Sequence, residues 1–214
     1  IAGSSGAIVS GEYILVDNIS VRLAEEDRSV NGNGLQVFGT VTKNPVATGA
    51  DLVAYSGFSS SNYLAQPYNS DLDFGTGDFC VMGWFKLDTG VDYQTLISRF
   101  NASSNVGWNI SKAGNQEIYL YTRDTAGITT TYTGSNGVAT GVWLHFVAVR
   151  SSTGTSTIYI NGKFKTSTSG TVRDIDNVKP LLVGEIDASG QGDFDGSLAL
   201  LRISATAPSP EQIA

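Results

Sequence analysis

The 214-residue chain has one cysteine, Cys80, one histidine, His145, and one methionine. A single cysteine excludes an internal disulfide framework. The fold must then be held by its core, and the chain is long enough to bury one without covalent staples. No Cys/His cluster is present that could bind zinc, and no glycine-rich phosphate loop. Basic residues are also scarce: 13 Lys and Arg stand against 20 Asp and Glu, for a net charge of -7. A chain of that balance repels phosphate backbones, so a nucleic-acid partner is not expected. No apolar run approaches the roughly 18 residues that a membrane span needs, so membrane insertion is not expected either. The chain opens at Ile1 with neither an initiator methionine nor a signal-like segment, which leads us to expect a fragment of a longer polypeptide or a processed product.

Glycine and apolar residues are plentiful, with 25 glycines and 41% hydrophobic content. They are arranged as short extended runs between turn signals, at a spacing that predicts a sandwich or barrel rather than a βαβ fold. The runs include "GLQVFGTVT", "DLVAY", "DFCVMGWFKLD", "QTLISRF", "GWNISK", "EIYLYTRD", "GITTTYT", "PLLVGEID" and "GSLALLRIS". "VWLHFVAVR" is apolar almost throughout, as a strand buried on both faces would be. "STIYINGKFKTS" predicts a hairpin turning at Asn161-Gly162. Only "APSPEQIA" has helical signals, with Ser209 as cap and Pro210 in a first turn. Cys80 is expected as a small buried hydrophobe, His145 as a packed histidine, and Trp84, Trp108 and Trp143 as core.

Three pieces in order are recognisable: Asp27 to Gly34, the Gly/Ser-rich turn from Gly57 to Tyr63, and the aromatic strand ending Trp84-Phe85-Lys86. They are followed by "GVWLHFVAVR", "STIYINGK", "LLVGE" and "FDGSLALLRIS". Together these resemble a laminin-G-like domain of the concanavalin A-like lectin/glucanase superfamily, of the kind found in bacteriophage tail and other virion proteins. The resemblance covers residues 27–214. It implies an all-β jelly-roll β-sandwich of two antiparallel sheets. Residues 1–26 would form a connector or the last strand of an upstream module. It also implies a virion or extracellular surface setting, with other virion proteins as partners and a homo-oligomer as one form of assembly. Where relatives carry alanine this chain has Val147, and Leu198-Ala199 stands where they often carry Ile-Asp, which removes one aspartate from any metal site copied from them.

Glu185, Asp187, Asp193 and Asp195 crowd one stretch, and three readings compete for them. Retaining glycosidases of the superfamily place a second glutamate shortly after a Glu-hydrophobic-Asp start, and two carboxyls about 5–5.5 Å apart flank the scissile bond. Here Ser189 and Gly190 occupy the places of that glutamate, so no catalytic residue and no enzyme activity is expected. Asp187, Asp193 and Asp195 on a glycine-rich loop instead suit calcium, which takes six to eight oxygens, and relatives often hold calcium near a sandwich rim. The third reading is a solvated acidic loop. For ligand binding the informative strand is "EIYLYTRD". If Ile118 and Leu120 enter the core, Tyr119, Tyr121 and Arg123 face outward, and Tyr159 repeats the pattern between Ile158 and Ile160. Aromatic rings beside charged donors suit sugars, so the expected function is non-enzymatic recognition of a glycan or cell-surface receptor. A purely structural packing domain is the alternative.

Overall fold

A computed structural model describes residues 24–25, 32–187 and 192–213. The expected strands at 12–23 lie outside the described residues, as do positions 27–31 of the opening motif.

Two antiparallel sheets pack face to face, with each strand close to a predicted run. The first sheet orders β1 (Ala24–Glu25), β2 (Leu35–Phe38), β5 (Tyr63–Gln66), β14 (Leu181–Val183), β7 (Gln94–Asn101), β8 (Val106–Ala113), β9 (Glu117–Asp124) and β10 (Gly127–Tyr132). The second orders β13 (Lys163–Ser169), β12 (Thr155–Ile160), β11 (Leu144–Arg150), β6 (Phe79–Leu87), β15 (Gly196–Ser204), β4 (Val53–Ser56) and β3 (Thr42–Pro45). This is the expected all-β jelly-roll sandwich. A single helical turn, α1 (Pro210–Ile213), ends the described chain.

Period-two alternation places the core between the sheets. Phe79, Val81, Phe85 and Leu87 from β6 meet Trp108, Ile110, Ile118 and Leu120 from β8 and β9. Leu144, Phe146 and Ala148 of β11 join them. The other face of β11 is covered as well: Val147 and Val149 pack with Cys80 and Tyr159 beneath Met82 and Ile213. That second layer explains the unbroken apolar run of β11, since both of its faces are shielded from water. Cys80 is fully buried there, and burial pushes its thiol up to about 12, which leaves it an inert hydrophobe.

Two buried arginines tie down the connections. Arg99 donates from Nη1 to the Leu72 carbonyl and from Nη2 to Asp73 and the Asn177 carbonyl. Arg150 lies over the Phe79 ring, 4.7 Å from its centroid, and donates to the carbonyls of Gly75, Gly77 and Arg173. Irregular backbone at 72–77 and 173–179 thus has its polar groups satisfied without a ladder partner.

The hairpin forms where predicted. Asn161 and Gly162 have φ of 52° and 73°, the double positive pair of a two-residue turn matched to strand twist.

Candidate functional site

The outward face of the eight-stranded sheet carries a row of seven residues in register: Gln36, Ala65, Leu182, Ser98, Asn109, Tyr121 and Thr130. Thr95, Ser111, Tyr119 and Tyr132 form a parallel row on the same face. The centre is built of small polar side chains. Ser111 Oγ donates toward Thr95 Oγ1 at 3.2 Å and Asn109 Oδ1 at 3.0 Å, while Ser98 Oγ donates to the Glu185 carbonyl at 3.0 Å. These four side chains are almost fully buried although their face points away from the core. Taller side chains around them therefore close over this polar floor and make the accessible surface above it.

One wall of this trough is β9 with β10. Ile118 and Leu120 enter the core as expected, which turns Tyr119, Tyr121 and Arg123 outward. Tyr121 is half-buried, its ring set edge-on to Phe100, and its Oη accepts from Arg123 Nη1 at 3.3 Å. Tyr119 is the one member with almost no exposed surface, because Tyr132 of the adjacent strand lies against it with ring centroids 5.3 Å apart. Tyr132 is the more open ring, at 46% exposure. Sequence reasoning missed Tyr132. Its opposition to Tyr119 follows from the β9–β10 register, whereas "GITTTYT" shows only alternation.

Beside this face lies Glu185, whose carbonyl accepts from Ser98 Oγ, with Asp193 near its carboxyl. Gly184, at φ +81°, lets the chain turn off β14, and a Cβ there would sit 2.1 Å from the Phe58 ring. Glu185 Oε1 accepts from the Ile186 amide at 3.0 Å, while Oε2 is buried with no donor. Burial, and Asp193 beside it, push the Glu185 carboxyl up to about 7. The undonated Oε2 is then the natural seat of the proton.

A laminin-G-type family profile, described as the concanavalin A-like lectin/glucanases superfamily, matches residues 58–214, well over half of the chain. The chain belongs to that superfamily. Comparison with curated protein sequences returns no match. Among solved structures, the binding domain of Paraclostridial Mosquitocidal Protein 1 is similar at a TM-score of 0.71 and 18% identity, over 88% of this chain and 48% of that one. The botulinum neurotoxin serotype G binding domain gives 0.71 and 16%, over 88% and 46%. The receptor binding domain of the botulinum neurotoxin C/D mosaic serotype gives 0.66 and 20%, over 88% and 46%. This chain spans about half the length of those structures, and at such identities the likeness shows the concanavalin A-like fold.

Within that fold the remaining expected residues separate. Tyr159 faces outward as read, but from the seven-stranded sheet, where it is buried with Cys80 and Val147 and meets Phe164 edge-on. It therefore shares no surface with Tyr121. Alternation fixes a residue's face within its strand but not the sheet to which the strand belongs.

The aspartates are also spread out. Asp187 pairs with Lys179 Nζ at 2.6 Å, and Asp195 accepts from Thr89 Oγ1 at 2.6 Å. Among the described residues no three metal-ligating side chains converge. Residues 188–191 lie outside the described part.

The three tryptophans divide. Trp108 is fully buried as expected and Trp143 half-buried, but Trp84 is 39% exposed. It occupies an outward position of β6 and packs on His145, with ring centroids 5.3 Å apart. The even positions of this strand face outward, so an apolar run concealed an exposed indole.

Proposed function

We propose that this chain is a non-enzymatic recognition module that binds carbohydrate through the outward face of the eight-stranded sheet. The observation that carries this reading is the accessible set of Tyr121 and Tyr132 rings and the Arg123 guanidinium, standing over the buried polar layer of Ser98, Asn109 and Ser111. The rings offer sugar C–H faces a platform to stack on, and the guanidinium offers sugar hydroxyls a donor. Similarity to structures named as binding and receptor binding domains supports a surface role. The same face would serve on a virion tail protein or another extracellular surface protein. Catalysis is not part of the reading, because Ser189 and Gly190 stand where a second catalytic glutamate would be needed.

Tyr121→Ala should remove a stacking platform and weaken glycan binding by on the order of 1 kcal/mol or more, with little loss of stability. Leu120→Ala should instead cost about 2–5 kcal/mol of stability through a core cavity, with binding kept by the folded fraction. Glycan-array binding beside thermal melts reads both effects. A wild-type array blank over a broad set of bacterial glycans would overturn the binding reading.

The structural alternative, a packing or decoration domain, is favoured by one observation: Trp84, Phe164 and Leu200 are exposed on the other sheet. Seeing the chain in its parent assembly separates the two, because the packing reading requires a neighbour seated over Trp84.

A further inference from the structure

A cleft of about 470 Å³ opens at one end of the sandwich, away from the trough. Its floor is the rim of the core, formed by Val138, Leu144 and Ile160. Three amide side chains line it, Gln116, Asn136 and Asn161, and two lysines, Lys163 and Lys165, stand on β13 beside it.

Three features of this cleft point to a ligand. The first is backbone conformation. Gln116, Asn136 and Asn161 all lie in the left-handed region, with φ of 55°, 58° and 52°. Asn136 and Asn161 adopt it as turn residues, which asparagine tolerates, whereas Gln116 is held there by its surroundings, as residues at binding sites often are. The second is rigidity. Asn161 exchanges hydrogen bonds with His145, its amide donating to the carbonyl at 2.8 Å and its Oδ1 accepting from the His145 amide at 2.9 Å. The facing wall is fixed by Asn136 N to the Asn115 carbonyl at 2.7 Å and Val138 N to the Gln116 carbonyl at 3.1 Å. The cleft is therefore formed before anything enters it, which lowers the ordering cost of binding. The third is charge. Neither lysine has an ion-pair partner among the described residues, in a chain with a net charge of -7. The nearest carboxylate along the wall, Glu117, belongs to the outward side of β9, where Ser135 Oγ donates to it.

Lysines on an edge strand also discourage strand addition. That role accounts for the charges. It does not account for Gln116 held in the left-handed region at the edge of a preformed cleft.

We propose that this cleft is a second binding site, for the carboxylate-bearing sugar unit of an acidic polysaccharide. The lysines would take the carboxylate, the amides the ring hydroxyls, and the Val138–Leu144 floor the apolar sugar face. The site shares no residue with the trough, so it stands or falls independently of the sheet-face reading.

The test is an NMR titration of the 15N-labelled chain with D-glucuronate, D-glucose and inorganic phosphate. Glucuronate should shift the amides of Asn136, Gly137, Asn161, Gly162 and Lys163, and glucose should bind at least about tenfold more weakly. Phosphate should leave the amides at 136–137 in place. The double variant Lys163→Gln, Lys165→Gln should melt like the wild type and lose glucuronate by about tenfold or more, and Tyr121→Ala should keep it. The proposal is overturned if glucuronate moves nothing in the cleft, if glucose matches it, if the double variant binds as well as the wild type, or if phosphate reproduces the full pattern.

Discussion

At the scale of single residues, Glu185 is the group whose environment departs furthest from what its neighbours in sequence suggest. Its carboxyl titrates at about 7 against an ordinary 4.5. Between those values the folded chain holds a proton that the unfolded chain has released. The contribution is fully present at low pH and is lost as pH rises through that window. Melting temperature should therefore fall between about pH 4.5 and 7 for the wild type, and Glu185→Gln should flatten that slope. An unchanged slope in the variant would place the titration elsewhere. Calcium is tested on the same instrument. An ion bound by Asp187, Asp193 and Asp195 has to compete with Lys179 for Asp187, and would add about 2.7 kcal/mol at a hundredfold excess over Kd. Coincident melts with calcium and with chelator would remove the ion. Residue identity alone made the outward set of Tyr119, Tyr121 and Arg123 legible. It could not show that Tyr132 shields Tyr119, or that Trp84 lies open, because both depend on which strand sits alongside.

At the scale of elements, the strands of the second half are legible and the joins of the first half are not. "STIYINGKFKTS" carries its own geometry, since only a positive-φ pair closes a two-residue turn with the right twist. Gly162→Ala should cost roughly 1–2 kcal/mol by forcing a side chain into the left-handed region. Asn161→Ala should cost more, because it also removes the hydrogen bond to the His145 amide. Thermal melts of the two variants rank them, and the reverse order would mean that the latch to β11 contributes nothing. By contrast, "GLQVFGTVT" reads as a single extended piece, but β2 stops at Phe38 and β3 starts only at its last residue, Thr42, in the other sheet. Nothing in period-two alternation marks such a crossing. β14 is likewise shorter than "PLLVGEID" suggests. Gly184 turns the chain away from the ladder, and that turn sets the Glu185 carbonyl against Ser98.

At the scale of the whole molecule, Arg99 and Arg150 act as internal fasteners for chain that has no ladder of its own. Replacing either with methionine would strand several buried carbonyls. We expect a loss of about 3–5 kcal/mol, read as a drop in denaturant midpoint without a change in slope. An altered slope would instead signal that a sheet edge had come apart. The sheet order has a further consequence, for how the molecule is made. β15, residues 196–204, is hydrogen-bonded between β6 and β4 in the interior of its sheet, although it follows all the other described strands in the sequence. The nascent chain therefore emerges from the ribosome with β6 and β4 unjoined and their core faces open, and it cannot close until residue 204 has cleared the exit tunnel. A stalled or truncated translation product would present two sticky half-sheets rather than a smaller domain, a ready substrate for chaperones.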